Sequence, residues 1–169
     1  MSAPLPPDTR TLRGLALQLL RSICGTDKPV AGPRLSEASL LVSIRESPGE
    51  ADAGLCALAR RFDLSDGELL AAALCLAVES DPQIARLVAQ AQNPVGAARP
   101  LTGFLATIFA QFGLDCIGLA SGAAVRTGLL VLGGEDAPLA ERSVGMPLAV
   151  AAALSGRRLE PEGLRALGT

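Results

Sequence analysis

The sequence predicts a mainly α fold: a helical N-terminal bundle, then a smaller unit built around a two-stranded β-hairpin. Three observations predict it. Apolar residues recur at i, i+3, i+4 and i+7 from Leu12 as far as Phe112. The period shortens to two only between Val125 and Leu132. Hydrophobic residues make up 49% of the chain and aromatics only 2%, so the core must come from Leu, Ala, Val and Ile. Small aliphatic side chains suit helices that approach one another closely.

Residues 1–7 form a Pro-rich flexible leader. Asp8 can cap a helix running to about Cys24, with Leu12, Leu15, Ala16, Leu19 and Ile23 inward and Arg10, Arg13 and Arg21 off the stripe. Gly25 suits the left-handed position that stops a helix. Thr26 to Pro33, with Pro29, Gly32 and Pro33, reads as a loop. Leu35 to Glu46 fits a short helix capped by Ser36 with Leu40, Leu41 and Ile44 inside; the same residues could also make a strand. Ser47-Pro48-Gly49 is a turn. Ala51 to Phe62 follows as a helix with Leu55, Leu58 and Phe62 inward.

The densest local signal is FDLSDGELLAAALCLAVESDPQIARLVAQA, Phe62 to Ala91. Ser65 is a helix cap, and Glu68 three residues on completes a capping box, each satisfying a backbone N–H at the helix start. Leu64 and Leu69 stand where a hydrophobic staple needs them. Leu69 to Val78 is apolar nearly all round, which fits a helix packed on several sides. Asp81 caps the next helix, and Pro82 occupies its first position, where a missing N–H costs nothing. Ile84, Leu87, Val88 and Ala91 form its inner stripe.

Gln92 to Pro100, with Pro94, Gly96 and Pro100, is the clearest internal break, dividing a helical subdomain (8–92) from a second unit (101–156). Thr102 can cap a helix over Leu101 to Phe112, with Leu105, Ile108, Phe109 and Phe112 apolar and Gly113 ending it. Leu114 to Ala123 can form one more short helix. Val125 to Leu132 then alternates as a strand, Gly133 to Pro138 is a hairpin-type loop, and Glu141 to Met146 returns. Pro147 opens a last helix to about Leu154, closed by Gly156. Helix, helix, strand, turn, strand is the element order of a winged helix, so the second unit is winged-helix-like. Residues 157–169 read as a tail or linker to a missing module.

The chemistry this composition excludes is informative. The chain has no His, no Trp and no Tyr, and its net charge is −2. Cys24, Cys56, Cys75 and Cys116 form no CxxC pair, so no zinc site is expected, and the last three read as small buried hydrophobes. A cysteine nucleophile would lack an imidazole base. Glu68 and Glu79 are the carboxylates nearest the central helix; capping and a surface ion pair account for them better than acid–base work does. No G-x-x-x-x-G-K-[ST] loop is present, and Gly133-Gly134 joins two strands instead of leading into a helix N-terminus. No apolar run reaches the roughly 20 residues that a bilayer span takes. The start has no basic segment typical of a signal peptide. A cytoplasmic protein with no membrane partner is expected.

With the elements in this order, the wording becomes recognisable. FDLSDGELLAAALCLAVESDPQIARLVAQAQ resembles the signature region of the N-terminal winged-helix domain of a group of bacterial AAA+ ATPases, which carry a similar "F-x-L-S, acidic, Leu-rich, E-x-D-P" phrase. RPLTGFLATIF, VRTGLLVL and PLAERSVGMPLAVAAALSG resemble the same family in order and spacing. The likeness covers Leu55 to Gly156. Some members of the group are encoded with contractile injection systems. The resemblance implies a non-catalytic adaptor domain that binds a protein partner or its own ATPase module, with ring assembly of the full-length protein. ATP and Mg would belong only to a downstream module.

A DNA-binding winged-helix regulator is the alternative. Its recognition helix would be Leu114 to Ala123, which has no Lys, Arg, Asn or Gln to read base edges, while Glu135 and Asp136 at the wing tip would repel phosphate. Nucleic-acid binding is therefore not expected. A mostly apolar segment of this kind, with Asp115 as its one charge, fits burial against protein, so Leu114, Ile117, Leu119, Arg126 and Arg142 are the candidate interaction surface.

Overall fold

A computed structural model describes residues 10–25, 36–93 and 95–157. The leader, Asp8, the Thr26–Pro33 loop and the tail beyond Arg157 lie outside the described residues. Within them the chain is mainly helical with one small two-stranded antiparallel sheet.

Helix α1 spans Leu12–Ile23. It starts later than a cap at Asp8 requires, because two other groups hold its first turn. Thr11 Oγ1 accepts from the Gly14 N–H at 3.0 Å, and the buried carboxylate of Asp52 accepts from the Leu12 N–H at 3.1 Å. The second acceptor comes from a distant helix and fixes where α1 begins. Leu17 and Leu20 are buried along with Leu12, Leu15, Ala16 and Leu19, whereas Ile23 is exposed. The covered face is thus wider than a single stripe and ends a turn earlier. Gly25 follows with φ +67°, the conformation expected of it.

Helix α2 (Glu37–Glu46) is capped by Ser36, and Leu41 and Ile44 enter the core, which decides that segment for helix over strand. Helix α3 (Glu50–Phe62) buries Leu55, Cys56 and Ala59. Phe62, expected inward, is exposed, because Asp63 takes a left-handed conformation (φ 55°) and turns the chain just past it. Arg45 pairs with Asp66 and donates to the Leu64 carbonyl at 3.1 Å, tying α2 to the start of the next helix.

Helix α4 (Asp66–Ser80) is the centre of the molecule. It packs on α1 and α3 and on four elements that follow it in the chain, so nearly every residue from Gly67 to Val78 is buried. The capping box is present: Ser65 Oγ accepts from Glu68 N at 3.2 Å, and Glu68 Oε2 accepts from Ser65 N at 2.9 Å. Leu64 and Leu69 are both buried, as a staple requires. Asp81 Oδ1 then caps α5 (Pro82–Ala91), accepting from Gln83 N at 2.9 Å.

Gln92 closes α5 and is itself buried. Its amide oxygen accepts from Leu101 N at 2.7 Å, and its nitrogen donates to the carbonyls of Ala97 (2.7 Å) and Arg99 (3.0 Å). Helix α6 (Thr102–Ile108) follows, extended by a 3-10 turn over Ala110–Phe112 and ended by Gly113 at φ +76°. Thr102 does not cap it. Its hydroxyl donates instead to the Arg142 carbonyl at 3.0 Å, because the segment before α6 is drawn alongside the sheet.

Helix α7 (Cys116–Ser121) is capped by Asp115, and a one-turn helix α8 (Ala123–Arg126) occupies the start of the expected strand. The alternation from Val125 is therefore not a continuous strand. The chain turns at Gly128 (φ +76°), so neighbouring Leu129 and Leu130 are both buried. Pairing is confined to β1 (Val131–Leu132) and β2 (Val144–Gly145), with Val131 opposite Gly145 and Leu132 opposite Val144. Pro100 to Thr102 flank β2 on its other side: Val144 N donates to the Pro100 carbonyl at 2.8 Å and Thr102 N to that of Arg142 at 2.9 Å. Glu141 lies in a 3-10 turn (Leu139–Glu141), so the return strand is shorter than expected. Helix α9 (Leu148–Leu154) opens after Pro147 and packs on α4. One continuous hydrophobic core runs from Leu12 to Ala151.

Candidate protein-interaction surface

The structure separates the five candidate interaction residues. Leu114 and Leu119 are buried, and Leu119 has no solvent exposure at all (0%). Leu114 lies where a Cβ on Gly67 would come within 2.7 Å of its own Cβ, so it locks α7's approach to the start of α4. Ile117, 72% exposed, points outward from the same short helix, and Arg126 is exposed at the end of α8. Arg142 is half-buried and organises the loop: its guanidinium donates to the carbonyls of Ala137 (3.1 Å) and Glu135 (2.7 Å). Of the five, Ile117 and Arg126 therefore present the free surface.

Glu68 has a second task that its capping box does not reveal. Its Oε1 accepts from the buried Ala124 N–H at 2.9 Å, so one carboxyl holds the starts of both α4 and α8. Gly122 is what lets α8 come so close. A Cβ there would stand 2.1 Å from Glu68 Oε1 and 2.6 Å from the Gly118 carbonyl. Among the described residues, no buried side-chain nitrogen or oxygen is left without a partner.

Glu79 and Asp81, the other notable carboxylates, have structural partners. Glu79 pairs with Arg99 at 3.1 Å and Asp81 with Arg13 at 2.6 Å. The Gln83 backbone N–H holds the Asp81 carboxyl below its ordinary range against the opposing effect of burial, and Arg13 adds to the lowering. Cys75 is wholly buried on α4, and desolvation together with nearby Glu79 pushes its thiol up to about 12. Cys56 is raised also, by burial first and then by Asp52. Neither thiol is set up as a nucleophile. Cys24 is exposed and Cys116 half-buried. Among the described residues, no three Cys, Asp or Glu side chains converge as metal ligands would.

A groove of about 1060 Å³ runs along α1, bounded by the first half of α3, by α4 and α5, and by the end of α9. Leu17, Leu76, Ala77, Leu87 and Leu154 line its apolar part. Charged groups ring it: Arg13, Arg21 and Arg86 with Glu50, Asp52 and Asp81. No local pattern announces this groove, because its walls come from five elements spread between Thr11 and Gly156. No helix among the described residues is long and apolar enough to cross a membrane. Compared with family models, curated proteins and solved structures, the chain matches none.

Proposed function

We propose that this chain is a non-catalytic, winged-helix-like adaptor domain N-terminal to an AAA+ ATPase module, serving a contractile injection system through protein–protein contacts. One observation carries the reading. The phrases that resemble that family span α4–α5, α6, α8–β1 and β2–α9, and the two-stranded ribbon β1–β2 lies where this reading would have its wing. The surface supports a protein partner over nucleic acid. The exposed side of α7 presents Ile117, α7 carries no base-reading side chain, and the loop beyond β1 carries Glu135 and Asp136.

The decisive experiment extends the reading frame past Thr169. The expected product contains an in-frame phosphate loop and hydrolyses ATP. Removing residues 1–157 from it leaves hydrolysis intact and abolishes co-purification of the particle or client proteins encoded beside it. A stop codon at 169 with no motor gene nearby sinks the proposal. So does retardation of duplex DNA by the domain at ~50 mM salt that weakens steeply as salt rises, the signature of phosphate binding.

A further inference from the structure

We propose that the β-ribbon and the first turn of α4 are coupled through one buried residue, Ala124, so that loosening either loosens the other. The ribbon cannot stand on its own pairing. Each strand has two residues, and an isolated two-stranded hairpin is marginal in water. Its strands are held from different sides. β2 leans on the segment before α6, where Val144 N donates to the Pro100 carbonyl and Thr102 N to that of Arg142. β1 is held from α8. The Leu130 N–H, next to the first paired residue, donates to the Ala124 carbonyl at 2.9 Å. The N–H of the same Ala124 donates to Glu68 Oε1, also at 2.9 Å.

Burial makes both bonds matter. Glu68, Ala124 and Leu130 are all buried, so a donor that loses its acceptor there finds no water in exchange. The one-turn helix α8 is also tied to itself. Arg126 N donates to the Gly122 carbonyl and Thr127 N to that of Ala123, both at 3.0 Å, so Ala124 does not shift alone. Drawing β1 away from α8 therefore pulls the Ala124 N–H from Glu68. The other oxygen of that carboxylate accepts from the Ser65 N–H and closes the capping box. Coupling carried by such a contiguous set of bonds is reciprocal: displacing the Glu68 carboxylate frees α8, and with it the support of β1. A partner that pulls on the ribbon is thus felt at the start of α4. The inference does not depend on the adaptor reading.

Amide hydrogen exchange of the full chain, read by NMR, tests the coupling. Glu68→Ala is expected to speed exchange at Ala124, Leu130 and Gly133 roughly tenfold, the effect of losing about one buried hydrogen bond. Gly133 is the informative site, because its N–H donates across the ribbon to the Ser143 carbonyl at 2.8 Å. Gly122→Ala displaces the carboxylate without removing it, since a Cβ there meets Glu68 Oε1. It should act alike, and it carries the test if Glu68→Ala does not fold. Ser65→Ala removes only the hydroxyl cap and should leave Leu130 and Gly133 unchanged. So should Ile84→Val on α5, a loss of core packing that lowers global stability. Unchanged exchange at Leu130 and Gly133 in the Glu68 and Gly122 variants overturns the proposal. Equal acceleration in Ile84→Val overturns it too, because the ribbon then follows global unfolding alone.

Discussion

Removing the Glu68 side chain should unfasten two elements at once, and the size of the effect follows from its contacts. Glu68→Ala leaves the Ser65 and Ala124 N–H groups without their acceptor, each bond measuring 2.9 Å. The buried Ala124 donor left unmet costs about 1–3 kcal/mol, and the Ser65 N–H, at an exposed residue, about 1 kcal/mol. The lost side-chain packing adds about 1 kcal/mol, since Glu68 is only 5% exposed. The sum is about 3–5 kcal/mol. Ser65→Ala removes only the cap and should cost about 1 kcal/mol. With a urea dependence of ~2 kcal/mol per molar, the midpoints should fall by about 2 M and about 0.5 M. Helical circular dichroism is the assay, because the chain lacks Trp and Tyr. If Glu68→Ala lowers the midpoint no further than Ser65→Ala does, the link to α8 contributes nothing and the reasoning fails.

Further predictions rest on similar arithmetic. Gly122→Ala forces a Cβ to 2.1 Å from Glu68 Oε1 and should cost about 1–3 kcal/mol in the same urea assay, less when Glu68→Ala is already present. Gly54→Ala meets only the end of Leu154 at 3.2 Å and gains helix propensity, so its midpoint should rise by a few tenths of a molar. Cys24 should react with a thiol reagent in the native protein at pH 8, whereas Cys75, its thiol near 12, should react only on unfolding. The Cys75 pKa is raised above its unfolded value of 9.0, so its contribution is complete below pH 9 and is lost as pH rises toward 12; alkaline urea titration of Cys75→Ala against the parent measures it. Asp81 has the opposite sign. Its pKa is depressed below 3.8, so stability it provides above that pH is lost on acidification, and Asp81→Asn should flatten that limb of the curve while keeping most of the cap.

Local chemistry was legible in the sequence wherever a residue acts on its own neighbours. Ser65 with Glu68, Asp81 with Pro82, and the helix stops at Gly25, Gly113 and Gly156 all act within four residues, and the structure has them as read. Long-range partners were not legible. Nothing near Thr11 announces that Asp52 holds the start of α1, and nothing near Thr102 announces Arg142. The strand expected from Val125 failed because alternation was read through Gly128, where the backbone reverses. Gly122 and Gly128 were the available warnings. Two residues of the candidate surface, Leu114 and Leu119, are buried for a related reason. In an all-apolar helix, composition does not say which side meets the core, and Leu119 meets it while Ile117 does not.

The amide of Gln92 makes the connector from α5 to α6 a fastened joint. One side chain grips both ends of the 97–101 bend, so a swivel there must break three hydrogen bonds within a span of ten residues. Replacing it with Glu would turn two of those attractions into carboxylate facing carbonyl. With the Gln92 amide in place, a push on the β-ribbon should reach α5 with little lost to bending on the way.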